Sequence, residues 1–294
     1  MSISLLGATE IRKLADELAV SPSKGLGQNF VHDSNICEKI VRLAGIESDD
    51  IVIEVGPGLG SLSLSIAKTG AKLIAVEIDK RLAARLPKTL IEHGVEADSF
   101  VVITQDAMTL KIDEIDRYLD EGKRVRLVAN LPYNVSVPVL INILQMQVIS
   151  TAMVMVQSEV ATRLAAAPGS KEYGVPSAKV AWYADAKLSE AVPRTVFWPM
   201  PRVDSLLLHL EIHPPLANEE LRDLTFTIID AAFNQRRKML RGSLSKMISE
   251  QLPNASVEGV LAGAGIDPTL RAESVSIAGF LAIARQIESL AKSV

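Results

Sequence analysis

Cysteine is nearly missing from this chain of 294 residues. Cys37 stands alone, which excludes an intramolecular disulfide and suits a reducing, cytoplasmic setting. Histidine is scarce too: four scattered copies form no Cys/His cluster at zinc spacing, so no metal is expected. No apolar run approaches the roughly 18 residues that a spanning helix needs. The start, "MSISLLGATEIRK", has no basic region leading into an apolar core and cleavage site. A soluble, untargeted chain with no membrane partner is therefore expected. Positive charge is not in excess, since the formal net charge is −4. Any nucleic-acid partner must then be held by a local patch. Internal repeats and low-complexity tracts are also lacking. What remains is ordinary globular usage, 48% apolar and 22% charged, in a length that fits one large domain and a smaller one.

From Asp50 to about Ile212, short β-rich runs alternate with helical patterns. "DIVIEV", "KLIAVEI", "FVVITQ", "RVRLVAN" and "TAMVMVQ" are apolar nearly throughout, as strands buried on both faces are. The linkers "SLSLSIAKTG", with Gly70 as its expected C-cap, "RLAARLPKTLIEHG" and "VPVLINILQM" supply helices. This pattern predicts an α/β fold with a largely parallel, right-handed sheet covered on both sides. "AKLSEAV" and "DSLLLHLEI", joined by the proline-rich "PRTVFWPMPRV", read as a closing antiparallel pair. Ahead of the sheet, "TEIRKLADELAV" and "DSNICEKIVRLAGI" read as amphipathic helices separated by "SPSKGLGQNFVH". Past "HPPLANEE" the pattern is helical, starting with "LRDLTFTIIDAAFNQRRKMLRGSLSKMI". The expected division is a domain over 1–213, with an N-terminal helical extension over 1–48, and a small all-α domain over 214–294.

Directly after the first long strand, "IEVGPGLGSLSLSIA" places Gly56, Gly58 and Gly60 before a helix. Glycine lets the backbone turn sharply and approach a ligand closely. The third glycine comes one position early for the dinucleotide fingerprint G-x-G-x-x-G, so a pyrophosphate cradle is not favoured. The second strand ends at Glu77, where a carboxylate can accept both hydroxyls of a ribose. The third ends at "TQDAM", which puts Asp106 in the next position along the carboxyl edge, with a helix N-cap as the plain alternative. Together these residues describe an adenosine-bearing cofactor, either NAD or S-adenosylmethionine.

The fourth strand ends in "NLPYN". A methyltransferase acting on an exocyclic amino group faces a nitrogen whose lone pair is delocalised into the ring. Two acceptors aimed at its N–H groups would favour a pyramidal nitrogen, by positioning and electrostatics. Asn130 can supply a side-chain carbonyl and Leu131 a backbone one. Pro132 restricts Leu131 to extended conformations, and Tyr133 can stack on a base. A turn rich in Asn and Pro, with Tyr as a core plug, is the plain alternative.

The segments "GLGQNFVHD", "IEVGPGLGSLS", "AVEIDKRLA", "TQDAMT", "ANLPYNVS", "FWPMPRVDSLLL" and "AFNQRRKMLRGSL", in this order over almost the whole chain, closely resemble the small-subunit rRNA adenine N6,N6-dimethyltransferases that confer kasugamycin sensitivity. The resemblance implies a Rossmann-like S-adenosylmethionine-dependent methyltransferase sheet. It implies Asn29 and Val31 as cofactor contacts, Gly56 and Gly58 on the cofactor loop with Gly56 near the methionine part, Glu77 on the ribose, Asp106 on the adenine amino group and Asn130 beside the reacting centre. Leu131, Pro132 and Tyr133 resemble the target-adenine pocket, with Phe197 as its second aromatic face. The family usually carries Leu or Ile where Val31 stands. The implied activity is dimethylation at N6 of two adjacent adenines in the 3′-terminal hairpin of 16S rRNA, by a monomer with no metal, in the small subunit or its precursor. Asn134 has no assigned role beyond capping the following helix.

Arg236, Arg237, Lys238, Arg241 and Lys246 lie in "NQRRKMLRGSLSKM" with no acid among them. A solvated helix face is the bland explanation; with the resemblance, rRNA phosphate contacts are favoured. The acidic chain as a whole points to recognition of an assembled particle. Two rival readings stand at this point: an NAD-linked oxidoreductase on the same scaffold, and a non-catalytic assembly factor that kept the fold.

Overall fold

The computed structural model describes residues 3–19 and 29–292. Most of the linker expected between the first two helices lies outside the described residues. Nine strands are found among them: β1 (Phe30–Val31), β2 (Ile51–Val55), β3 (Lys72–Glu77), β4 (Phe100–Thr104), β5 (Val125–Asn130), β6 (Thr151–Gln157), β7 (Ala184–Val192), β8 (Phe197–Trp198) and β9 (Ser205–Ile212). Seven form one sheet in the order β4-β3-β2-β5-β6-β9-β7. The first five of these strands run parallel to one another, and β9 lies antiparallel to β6. The two expected closing strands are therefore adjacent, with β9 slotted between β6 and β7. β2 is buried at every position, which is why its sequence shows no alternation.

The chain winds outward from β2 to β4, then returns to lay β5 on the other side of β2. Connections diverge at that reversal and leave a crevice beyond the carboxyl ends of β2 and β5, where open α/β sheets take ligands. The helices are α1 (Ala8–Glu17), α2 (Ser34–Ala44), α3 (Ser61–Ala67), α4 (Lys80–Glu92), α5 (Ile112–Ile115), α6 (Ser136–Gln145), α7 (Ser158–Leu164), α8 (Val175–Val180), α9 (Glu219–Asn234), α10 (Leu240–Ser243), α11 (Ser245–Gln251), α12 (Val257–Gly263) and α13 (Ile277–Ala291). Gly70 is left-handed, at φ +87°, but lies two residues past Lys68, the C-cap of α3. The connector between β7 and β9 contains a strand that the sequence reading did not include: Phe197 pairs with Val31 and Trp198 with Phe30.

Two compact units divide the chain. One comprises 1–161 and 186–212, the other 162–185 and 213–294. The segment Thr162–Asp185, read from the sequence as part of the first domain, belongs with the helical tail. Tyr173 and Ala178 join the core of that unit beside Ile228, Phe280 and Ile283, and the Tyr173 hydroxyl donates to the Val275 carbonyl at 2.9 Å. The tail is helical as expected but not continuously so, because α9 stops at Asn234. No described helix is long and apolar enough to cross a membrane.

Candidate active site

Three turns at the carboxyl edge of the sheet build the site. Gly58 follows β2 at φ +58°, and a Cβ there would sit 2.9 Å from Phe30 Cδ1. Only glycine satisfies both the left-handed backbone and the close approach. Its freed N–H donates to Glu77 Oε2 at 3.1 Å, while the Asp79 N–H donates to Glu77 Oε1 at 2.9 Å. The carboxylate at the end of β3 is thus fixed in direction by backbone donors on both oxygens. Burial raises its pKa above the ordinary carboxylate value, against the opposing pull of the Asp79, Gly58 and Ile78 N–H groups. A carboxylate has more acceptor sites than these donors fill, which leaves room for a ligand hydroxyl.

At the end of β4, Asp106 Oδ1 accepts the Met108 N–H at 2.9 Å. This is a local turn and not the N-cap of a regular helix. The second carboxylate oxygen takes no hydrogen bond among the described residues. At the end of β5, Asn130 Nδ2 donates to the Asn29 backbone carbonyl at 3.0 Å. That bond decides which way the amide faces and leaves Oδ1 as the buried, unpartnered atom. A buried acceptor without a donor costs about 1 to 3 kcal/mol, so this oxygen marks a place where a ligand N–H belongs. Tyr133 is oriented by a 2.6 Å hydrogen bond between its Oη and Ser205 Oγ at the start of β9. Burial raises its pKa as well.

A cavity of about 230 Å³ connects these groups. Asn29, Val31, Gly56, Gly58, Glu77 and Asp106 line it, as do Asn130, Leu131, Pro132 and Tyr133. The structure therefore brings together all the sequence-predicted cofactor residues and four of the five predicted catalytic ones. Phe197 is the exception: it is 2% exposed, belongs to the apolar core and does not line the cavity. Its pairing with Val31 in the β1–β8 ladder accounts for the burial. Asn134 also lines the cavity and does not cap α6, whose N-cap is Val135.

The sequence reading missed Glu54, which lines the same cavity at 1% exposure. Burial, with Glu77 close by, pushes its carboxyl up to about 8 despite a 2.5 Å hydrogen bond from Ser63. The signal available was the acid interrupting the otherwise apolar "IVIEV" just before the glycines. Gln105, Ile78 and Met108 are further lining residues that went unremarked.

The basic run lies in the helical unit, at a break between helices. Leu240 N donates to Leu270 O at 2.7 Å and Arg241 N to Pro268 O at 3.1 Å, while Met239 bridges Arg271. Arg236 is held by Glu273 at 3.1 Å and by the Lys171 carbonyl at 2.7 Å, which makes it a brace. Arg237, Lys238 and Arg241 are exposed and make no ion pair among the described residues. Lys246 reaches Glu250 at 3.9 Å.

Residues 21–289 match the family model described as ribosomal RNA adenine dimethylase. The small-subunit rRNA methyltransferase A of Corynebacterium diphtheriae is 48% identical over 97% of this chain and 96% of its own length. That of Leifsonia xyli is 47% identical over 96% and 98%. Among solved structures, a dimethyladenosine transferase from Plasmodium falciparum superposes with a TM-score of 0.69 at 22% identity, covering 89% of this chain and 98% of that one. The 23S rRNA methyltransferase ErmE superposes at 0.61 and 23% identity, covering 88% and 100%. The sheet is thus a Rossmann-like methyltransferase sheet, and the chain belongs to the ribosomal RNA adenine dimethylases, enzymes that dimethylate adenine in rRNA.

Proposed function

We propose that this enzyme dimethylates N6 of two adjacent adenines in the 3′-terminal hairpin of 16S rRNA, as a step in ribosome biogenesis. The observation that carries the reading is Asn130, which lines the cavity beside Leu131, Pro132 and Tyr133 and whose buried Oδ1 has no hydrogen-bond partner within the protein. S-adenosylmethionine supplies an electrophilic methyl on a sulfonium. The cavity suits it: the fixed Glu77 carboxylate accepts the ribose hydroxyls, Asp106 accepts the adenine amino group, and Gly56 and Gly58 let the chain approach the remainder. Asn29 and Val31 complete the lining.

On the substrate side, Asn130 Oδ1 and the Leu131 carbonyl accept the two N6–H bonds and draw the amino nitrogen toward a pyramidal shape. Tyr133 holds the base by stacking, which contributes about 1 to 3 kcal/mol. This is positioning with electrostatic stabilisation, and no side chain has to remove a proton before transfer. After the first transfer one N–H remains for either acceptor. The target base must leave its loop stack to reach the cavity.

The unit of residues 1–161 and 186–212 serves as the catalytic domain and that of 162–185 and 213–294 as the rRNA-contacting domain of a monomer, with Arg237, Lys238, Arg241 and Lys246 toward phosphate. Two relatives named as small-subunit methyltransferases support the choice of subunit. The net charge of −4 favours an assembled particle over naked RNA. Undermethylated small subunits and naked 16S rRNA, each incubated with enzyme and mapped by mass spectrometry, provide the test. Adjacent dimethyladenosines near the 3′ end, formed faster on particles, are expected. Modification elsewhere would refute the assignment.

A further inference from the structure

Glu54 is the one carboxyl of the cavity wall that the proposed chemistry leaves unused, and its setting is unusual. The side chain is 1% exposed on β2, two residues before Gly56. The Ser63 hydroxyl of α3 donates to its Oε2 at 2.5 Å. The titratable group acting on it is Glu77 of β3, while the buried Cys37 thiol of α2 is itself pushed up by burial and by Glu54 and stays neutral. Glu77 opposes a negative charge, and among the described residues no cation forms an ion pair with Glu54. An uncompensated buried carboxylate is costly enough that the group keeps its proton instead.

A site that binds an amino-acid nucleoside bearing ammonium and sulfonium charges has a use for such a group. We propose that Glu54 is a proton-releasing specificity residue: it is neutral in the ligand-free cavity and ionises when the cationic half of the cofactor arrives. The carboxyl O–H bond breaks, its electron pair stays on Glu54, and the proton leaves to buffer. Because no anion stands there beforehand, the cavity need not stabilise a buried charge while empty. Once ionised beside Glu77, it presents two negative groups. Phosphate-bearing adenosines meet no such response: an anionic ligand keeps Glu54 protonated and is repelled by Glu77. Adenosine recognition and charge recognition are thereby divided between different residues.

This inference rests on the S-adenosylmethionine reading, and the measurement separates their failures. Calorimetric titrations at pH 7 in phosphate and in Tris, which differ in ionisation enthalpy, report the protons released per ligand bound. The probes are S-adenosylmethionine and 5′-methylthioadenosine, which retains the adenosine and sulfur but carries neither charge. For the wild type, release approaching one proton with S-adenosylmethionine and near zero with methylthioadenosine is expected. Affinity for S-adenosylmethionine should rise toward tenfold per pH unit below about pH 8, then level off.

In Glu54→Gln the release should vanish, the pH slope should flatten and S-adenosylmethionine should bind more weakly. Methylthioadenosine affinity should stay unchanged, which also reports an intact fold. Ser63→Ala, which keeps the carboxyl but removes its donor, should move the levelling point to higher pH. Equal release from wild type and Glu54→Gln, equal release with both probes, or an unmoved levelling point in Ser63→Ala would overturn the role of Glu54 alone. Absence of S-adenosylmethionine binding at every pH, with NAD bound instead, would overturn the cofactor reading.

Discussion

Asn130 concentrates two functions in one amide: Nδ2 holds the Asn29 carbonyl while Oδ1 is kept bare in a buried place. Asn130→Ala should lower methyl transfer by about 10²- to 10³-fold, the range seen when one preorganised polar partner of a reacting group is removed. Particle binding should largely persist, which co-sedimentation would check. Asn130→Asp retains acceptors but repels the Asn29 carbonyl, so it should not restore the rate. Glu54 yields a second residue-scale expectation through stability. Its folded-state pKa, about 8, lies above the ordinary carboxylate value. The stability this group supplies is whole at low pH and is lost as pH rises through the folded value. Glu54→Gln cannot titrate, so in ligand-free protein its melting temperature should gain on the wild type between about pH 5 and pH 9. No gain across that window would mean that the carboxyl already ionises at ordinary pH. Asn130, Glu77 and Asp106 were legible in the sequence because each ends a strand at the ligand edge. Glu54 was not, since its burial depends on Ser63 and Glu77 arriving from other elements. Phe197 was misplaced because a pattern cannot tell which side of a two-residue ladder an aromatic ring occupies.

Among the elements, the β2–α3 turn is the most constrained. Gly58 combines φ +58° with a Cβ position 2.9 Å from the Phe30 ring, and Phe30 in turn stacks on Trp198 with centroids 6.4 Å apart. Gly58→Ala should cost about 1 to 2 kcal/mol for the left-handed backbone alone. It should also displace Phe30 from the cavity wall and tilt the N–H off Glu77. A lowered melting temperature together with weakened S-adenosylmethionine binding is the expected pair of results; a variant that binds normally would show that the ring yields without consequence. The five parallel strands were readable as unbroken apolar runs, because burial on both faces removes polar alternation. The end of α9 was not readable. Gln235, Arg236, Arg237, Lys238 and Met239 are all good helix formers. What stops the helix is backbone pairing of Met239, Leu240 and Arg241 with residues 268–271, a contact distant in sequence.

For the molecule as a whole, the question is how a chain of net charge −4 engages a polyanion. Its basic run divides by function: Arg236 is spent on Glu273 and on the Lys171 carbonyl, whereas Arg237 and Lys238 stay exposed on the turn after α9 and Arg241 on α10. Phosphate contacts release counterions, so each one lost flattens the salt dependence of binding. If the three exposed cations meet rRNA phosphates, replacing all three with alanine should reduce the slope of log affinity against log salt by about 2. Methyl transfer to free adenosine-bearing oligonucleotides should change far less, because the cavity is untouched. Arg236→Ala should behave oppositely: an intact salt slope, with stability lowered by about 1 kcal/mol as its partly exposed braces are lost. Filter binding to small subunits across a salt series, beside thermal melts of the two variants, separates these outcomes. Identical slopes in wild type and triple variant would remove the turn from the RNA interface and leave shape recognition by the remainder of the surface as the source of affinity.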